Sequence, residues 1–429
     1  MKQKALLFFV CLFGSLTVFS CIDRDTIAGT GKEEPDKIIS AGGGFQSGVI
    51  NTKLVNPLKV RILAANGRPV RSIIVEFSVE NSNASFSDTT AVSDGDGYAT
   101  TYVTLGSKAD SVRIYATVFG LKGSPVKFSL YATSSSATKV ELINGNNQTG
   151  TVGAGLPIPL KVKVSDSYGN LVQNVPIYFS TLNGKLKPAV VLTDSSGLAS
   201  SVWTLDTLIG NKSAQAMVPS ITNGTINFSA TANSLTTPSK FQKVSKDTFY
   251  TLQGTTINNI LQVKVLDKYG NPIYRFPVEF SVVQGKGTVS PLSSLTNSSG
   301  FAVAGVSVAD NDSILRISSD VKNNFPLYYF TFFVYKYLQL DSLSSNGGVV
   351  RIYWQKSLNP NFANYTVQRC GNFSFDNTTV DFKVITDENV TSTNDATAVV
   401  GSSPYYRVRV NYTNGFYFYT NLLNVTVNP

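Results

Sequence analysis

The sequence predicts an all-β protein, a tandem array of antiparallel β-sandwich domains forming an elongated rod. Three observations carry this. One stretch occurs three times, starting at Leu58, Leu160 and Leu261, without gaps and at offsets of 102 and 101 residues. A period of that size is a whole domain, larger than a solenoid unit. Within each copy apolar and polar residues alternate, which is the mark of a strand with one buried face. Between the alternating runs stand Gly, Asn, Asp and Ser, the residues that tight turns require.

The chain has 429 residues, enough for three or four domains. Charged residues make up only 15%, and the formal net charge is +9. The N-terminus runs Met1, Lys2, Gln3, Lys4 and then a mostly apolar stretch from Ala5 to Ser20. A basic start followed by a short apolar run has the form of a secretory leader and is too short for a comfortable membrane span. It ends Val18, Phe19, Ser20, Cys21, which resembles a bacterial lipobox, with Cys21 as the lipidated residue. The resemblance implies residues 1–20 as signal peptide and 21–37 as lipidated cysteine and flexible tether. It also implies attachment to the membrane by acyl chains and an outer-membrane location, since Ile22 rather than an aspartate follows the cysteine. Asp23 and Asp25 weakly resemble the acidic export signal of Bacteroidetes surface lipoproteins. Cys11 leaves with the leader and Cys21 is lipidated. Cys370 then stands alone, no intramolecular disulfide forms, and stability must come from β cores.

In the second copy Leu160, Val162 and Val164 alternate with Lys161 and Lys163, and the others repeat this with Leu58/Val60/Ile62 and Leu261/Val263/Val265. A turn follows, Asp166-x-Tyr168-Gly169-Asn170 and Asp267-x-Tyr269-Gly270-Asn271, which needs positive φ and in which the Asp side chain can hold backbone amides. The first copy has Ala64 and Arg68 at the Asp and Asn positions. Next come the inward pairs Val75/Phe77, Ile177/Phe179 and Val278/Phe280. A second turn precedes another alternating strand, at Asp94 to Ala99, Asp194 to Ala199 and Asn297 to Ala302. Upstream, Gln46 and Gln148 each head a Gln-x-Gly, while the third copy has only a displaced Gln253-Gly254.

This ordered set of motifs resembles the bacterial Ig-like group 1 repeat of invasins and intimins, over roughly residues 38–335. The resemblance implies Ig-like domains at 38–134, 135–235 and 236–335. The remainder, 336–429, resembles a fibronectin type III domain, with Trp354 as the buried tryptophan of its second strand and Tyr406 as its tyrosine corner.

The chain contains no histidine, so Ser-His-Asp and Cys-His catalysis and imidazole-bound zinc are excluded. Paired carboxylates could still hydrolyse glycosides, but no long loop is left over to build a cleft, and the chain reads as no enzyme, with no cofactor and no metal. Asp94-Gly-Asp96-Gly97 has calcium-ligand character, but the other copies lack these acids and a plain turn is the better reading. Positive charge is scattered with no basic stripe, which argues against nucleic acid. Triplets of Asp, Ser or Thr and an aliphatic residue, as at Asp206 and Asp341, resemble Bacteroidetes O-glycosylation sites.

Aromatic residues crowd the last quarter, eight between Phe325 and Tyr337 and five between Tyr412 and Tyr419. In the first group two faces alternate. One must be core, and the other either stiffens the joint between the third and fourth domains or meets a partner. Tyr412, Phe416, Tyr417 and Tyr419 are the candidate ligand-binding residues for an unknown protein or glycan. Three functions remain open on sequence: adhesion through a distal domain on an Ig-like stalk, a scaffold subunit of an outer-membrane complex for glycan uptake or secretion, and carbohydrate capture.

Overall fold

A computed structural model describes residues 33–81, 83–309, 314–322 and 325–429. Cys21, the leader and most of the tether lie outside them. Among the described residues every regular element is a strand. The chain divides into two compact units, Met1–Lys139 with Ser165–Val172, and Val140–Val164 with Gln173–Pro429.

The first unit holds one β-sandwich. A three-stranded sheet, in the order Pro35–Gly42, Leu58–Ala64, Tyr98–Thr101, faces a five-stranded one. The five run Ser47–Val49, Val126–Thr133, Ser111–Thr117, Ile74–Val79, Thr90–Val92. The inward residues of both sheets meet in one core, Val60 and Ile62 from one and Val75, Phe77, Ile114 and Phe128 from the other. Alternation along Leu58–Ala64 is thus the direct cause of the sandwich, since only one face of the strand can be dry.

The second unit repeats that arrangement twice, with a fourth strand, Gly184–Lys187 or Gly287–Ser290, added to the smaller sheet. The strand Leu160–Ser165 lies between Lys139–Asn144 and Leu198–Leu205, and Thr256–Leu266 between Lys240–Lys243 and Phe301–Val308. The facing five-stranded sheets keep the order of the first sandwich, including its parallel first pair: Gln148–Thr151 beside Thr225–Asn233, and Thr248–Leu252 beside Tyr328–Tyr335. Trp203 and Phe228 fill the second core, Phe280, Phe330 and Phe332 the third.

A small device fixes the entry to each repeat. The Gln148 side chain donates to the carbonyls of Gly145 (2.7 Å) and Ile158 (2.8 Å) and accepts from the Ile158 amide (3.0 Å). Gln46 makes the same three bonds to Gly43 and Asn56. In the third repeat the backbone amide of the displaced Gln253 bonds the Tyr335 carbonyl, and the clamp sits elsewhere. Ser245 takes the role, donating to the Ile260 carbonyl (2.6 Å) and accepting from the Gln262 amide (2.7 Å).

The last sandwich sets three strands, Leu340–Asn346, Val349–Trp354 and Ser392–Asp395, against five: Val380–Ile385, Phe362–Cys370, Tyr405–Tyr412, Tyr417–Tyr419 and the short Leu423–Asn424, which also pairs with Tyr405–Tyr412. Trp354 is buried and meets Tyr365 edge-on at 5.5 Å. The Tyr406 hydroxyl donates to the Asp395 carboxylate (2.9 Å), which Arg369 also binds (2.6 Å). A tyrosine corner would bond a backbone carbonyl, so here the corner is replaced by a buried Tyr-Asp-Arg triad.

Candidate functional sites: the joints and the last sheet

The turn Asp166-x-Tyr-Gly-Asn170 does more than reverse the chain. Asp166 Oδ1 accepts the amides of Tyr168 and Asn170, both at 2.9 Å. Its Oδ2 reaches Ser135, accepting from the amide (3.0 Å) and the hydroxyl (3.2 Å). Asn170 Nδ2 donates to Asp166 Oδ2 (3.1 Å) and to the Ser107 carbonyl (2.9 Å), and its Oδ1 accepts the Ala109 amide (2.8 Å). All of these residues lie in the first unit.

The second unit has the same staple. Asp267 Oδ1 holds the amides of Tyr269 and Asn271, while Oδ2 accepts the Leu235 amide (3.1 Å). Asn271 Nδ2 donates to Asp267 Oδ2 (3.1 Å) and the Thr207 carbonyl (2.8 Å), and Oδ1 faces the Ile209 amide (3.4 Å). Burial alone would raise both carboxyls. The Asn side chains and backbone amides around them outweigh it, so Asp166 and Asp267 both lie below the ordinary carboxylate range.

The first repeat makes the same backbone turn, with Ala64 N bonded to the Arg68 carbonyl (2.9 Å) and Gly67 at φ 80°. Its side chains do something else: Asn66 and Arg68 both turn to Glu33, at 3.0 and 3.4 Å. The Asp and Asn of the other two copies are therefore joint residues as well as turn residues. Their replacement by Ala64 and Arg68 leaves the turn intact and removes the staple. The other turn is held locally, Asp94 Oδ1 accepting the amides of Asp96 (2.9 Å) and Tyr98 (2.8 Å).

Between the third and fourth sandwiches the aromatic cluster closes on itself. Phe330 and Phe332 are core, while the opposite face turns to the last domain. Tyr335 stacks on Phe416 (4.8 Å) and packs against Tyr412 (4.4 Å), and Tyr250 stacks on Phe333 (5.7 Å). Asn414 Nδ2 donates to the Tyr335 hydroxyl (2.6 Å). Tyr412 is buried, and that burial pushes its phenol up to about 12. Of the four candidate ligand-binding residues, Tyr412 and Phe416 are consumed by this joint and are not available to a ligand. The turn at Asn414-Gly415 sends them to one side of the hairpin and the next residues to another.

Tyr417 and Tyr419 instead lie on the outer face of the five-stranded sheet, Tyr417 being 53% exposed. The register places Arg409 beside Tyr419 and Thr366, and Arg407 beside Gln368, itself paired to Asp381. The Arg407 guanidinium lies 3.7 Å from the Tyr419 ring and 4.0 Å from the Phe375 ring. Its Nε donates to Gln368 Oε1 (2.6 Å), Gln368 Nε2 donates to Asp381 (2.5 Å), and Arg409 pairs with Asp381 at 3.5 Å. Phe375 has φ 49°, a left-handed value costly for a bulky residue. Its loop is tied by Asn372 to Asp376 (2.7 Å) and by Asp376 to Thr378. The Thr378 bonds are the chief reason the Asp376 carboxyl sits at about 2.

Sequence reasoning found the tyrosines of this face and missed Arg407, Gln368, Asp381 and Phe375. The alternation of Tyr405 to Val410 already put both arginines outward. The approach of Phe375 depends on a loop conformation that no period reveals.

Residues 46–131 match the family model of the bacterial Ig-like domain (group 1). The Ig-like domain that begins the array is thus matched directly, and the second and third sandwiches share its strand order. No curated protein matches the chain. Among solved structures the chain is similar to the Escherichia coli adhesin FdeC, at 15% identity over 71% of this chain and 99% of that one, with a TM-score of 0.46. It is similar to invasin, a bacterial integrin-binding protein, at 14% identity over 92% and 79%, with a TM-score of 0.46. InvD of Yersinia pseudotuberculosis gives 11% over 68% and 98%, with a TM-score of 0.36.

Proposed function

We propose that this chain is a non-enzymatic surface protein, attached to the outer membrane by lipid on Cys21, whose Ig-like domains carry a fibronectin type III-like domain used for adhesion. The observation that carries the reading is the staple. Within the second unit, the leading turn of the third sandwich spends a buried carboxylate and an amide on the second, and the Asp166 turn makes the same set of bonds inside the first unit. A chain built for display needs joints that transmit position, and polar groups committed this way are expensive to leave unmade. The repeats' resemblance to those of invasins and intimins points the same way. The rival reading, a scaffold subunit docking through its aromatics, has less to draw on, because most of the Phe325–Tyr337 cluster packs inside the chain and Tyr329 alone of its tyrosines is exposed.

The test is protease treatment of intact cells with detection of the last domain, together with adhesion by cells expressing the chain without residues 336–429. Loss of signal and loss of adhesion are expected. Protection on cells shown to be intact would place the domain away from the surface and sink the reading.

A further inference from the structure

We infer that the outer face of the last domain's five-stranded sheet binds a carboxylate-bearing sugar, with Arg407 as the carboxylate clamp and Tyr417 as the platform for the sugar ring. The inference rests on the reading of the last domain as the ligand-bearing part.

Arg407 is held in a way that leaves one use for it. Tyr419 covers one side of the guanidinium plane at 3.7 Å, and Phe375 also packs on it at 4.0 Å. Nε is spent on Gln368 Oε1 at 2.6 Å. Neither Nη has a hydrogen-bond partner among the described residues, so two donor nitrogens of the fork are left for a ligand. A planar fork of N–H donors binds two oxygens lying in its own plane, which a carboxylate presents. The ring contacts also fix the fork before binding, so little rotamer freedom is lost when it engages.

The neighbours narrow the ligand further. Asp381 stands on the same face, bonded to Gln368 and paired to Arg409. Two arginines against one aspartate suit an acid of low charge density and disfavour a polyanion, which needs many uncompensated cations. Beside them Tyr417 is 53% exposed, edge-on to Tyr419 at 5.7 Å, with Arg409 at 5.9 Å from its ring. The open phenol of Tyr417 offers apolar contact to the C–H face of a pyranose, and Tyr419, which touches both, links it to the Arg407 guanidinium that would take the acid group. The left-handed Phe375 is the strained part of this arrangement, and the tied loop from Asn372 to Thr378 holds it there. Strain kept at one residue that packs on a free cation fits a preorganised binding site.

The experiment uses the full-length protein in detergent. It is titrated calorimetrically with 3′-sialyllactose against lactose, and with hyaluronan tetrasaccharide against its methyl ester. Binding of at least one acid, with its neutral counterpart weaker by tenfold or more, is expected. Arg407→Gln should then lose at least tenfold in Kd, Arg407→Lys should lose less because it keeps the charge without the fork, and Tyr417→Ala should lose about three- to tenfold. Arg351→Gln, on the other sheet, should change nothing, and unaltered circular dichroism guards against misfolding. Absence of binding to both acids, equal binding of acid and ester, or wild-type affinity in Arg407→Gln would overturn the inference. Binding of a poly-glutamate peptide in preference to both sugars, with the same dependence on Arg407, would also overturn it by assigning the clamp to an acidic protein segment. Adhesion that needs residues 336–429 but survives Arg407→Gln would remove the clamp and leave the adhesion reading standing. Loss of the adhesion reading with sugar binding intact would do the reverse.

Discussion

Asn271 is 5% exposed, and its one side chain serves Asp267, Thr207 and Ile209 at once. Truncating it strands a buried carbonyl and takes a donor from a buried carboxylate, which costs about 1–3 kcal/mol. Asn271→Ala should therefore lower the unfolding midpoint in denaturant, whereas Arg68→Asn at the matching exposed place in the first repeat should leave it unchanged within about 0.5 kcal/mol. Tyr406→Phe removes one of the donors on the buried Asp395 and should cost a similar ~1–3 kcal/mol, read as a loss of stability of the last domain. In the sequence both positions were legible as types only: Asn271 as a turn residue and Tyr406 as a corner. What each side chain bonds across the fold was hidden, because the partners Thr207 and Asp395 are set by tertiary packing and not by spacing along the chain.

At the scale of an element, the period-two reading survives almost residue by residue. Leu160, Val162 and Val164 are all buried and the lysines between them are partly exposed, because a pleated strand with one dry face permits nothing else. Departures occur where a strand changes register. The long strand Thr256–Leu266 is irregular between Ile257 and Leu261, and there the Gln-x-Gly signal slips and Ser245 replaces the glutamine clamp. A hydroxyl makes two bonds where the amide makes three, so the two clamps should differ in worth. Gln148→Ala is expected to destabilise the second repeat by about 1–3 kcal/mol, and Ser245→Ala the third by about 0.5–1.5 kcal/mol. Hydrogen exchange at the Ile158 and Gln262 amides reads each loss locally. The outward arginines of Tyr405–Tyr412 follow the same alternation, which is why that much of the candidate site could be placed from sequence. The loop that brings up Phe375 follows no alternation.

At the scale of the whole molecule, each of the two units contains a staple that depends on a carboxylate, and this sets a response to acid. Burial raises Asp166 and Asp267, the asparagine and backbone donors lower them further, and the net folded value is depressed. A depressed value means that the ionised form is favoured by folding. The contribution is fully present above the unfolded carboxylate pKa of about 4 and is lost as pH falls through the folded value. The aromatic joint around Tyr335, Tyr412 and Phe416 has no carboxylate among its contacts and should not respond there. Acidification below about pH 4 should therefore speed proteolysis in the linkers 133–138 and 233–239 before it does so between Tyr335 and Leu338. In Asp267→Asn the side chain can still accept from Tyr269, but the position of Oδ2 becomes an NH2 that opposes the Leu235 amide. That variant should be cleaved at 233–239 readily at neutral pH and lose its acid dependence there, while cleavage at 133–138, governed by Asp166, keeps it. Equal acid sensitivity at both linkers in Asp267→Asn would show that the carboxylates do not govern the joints.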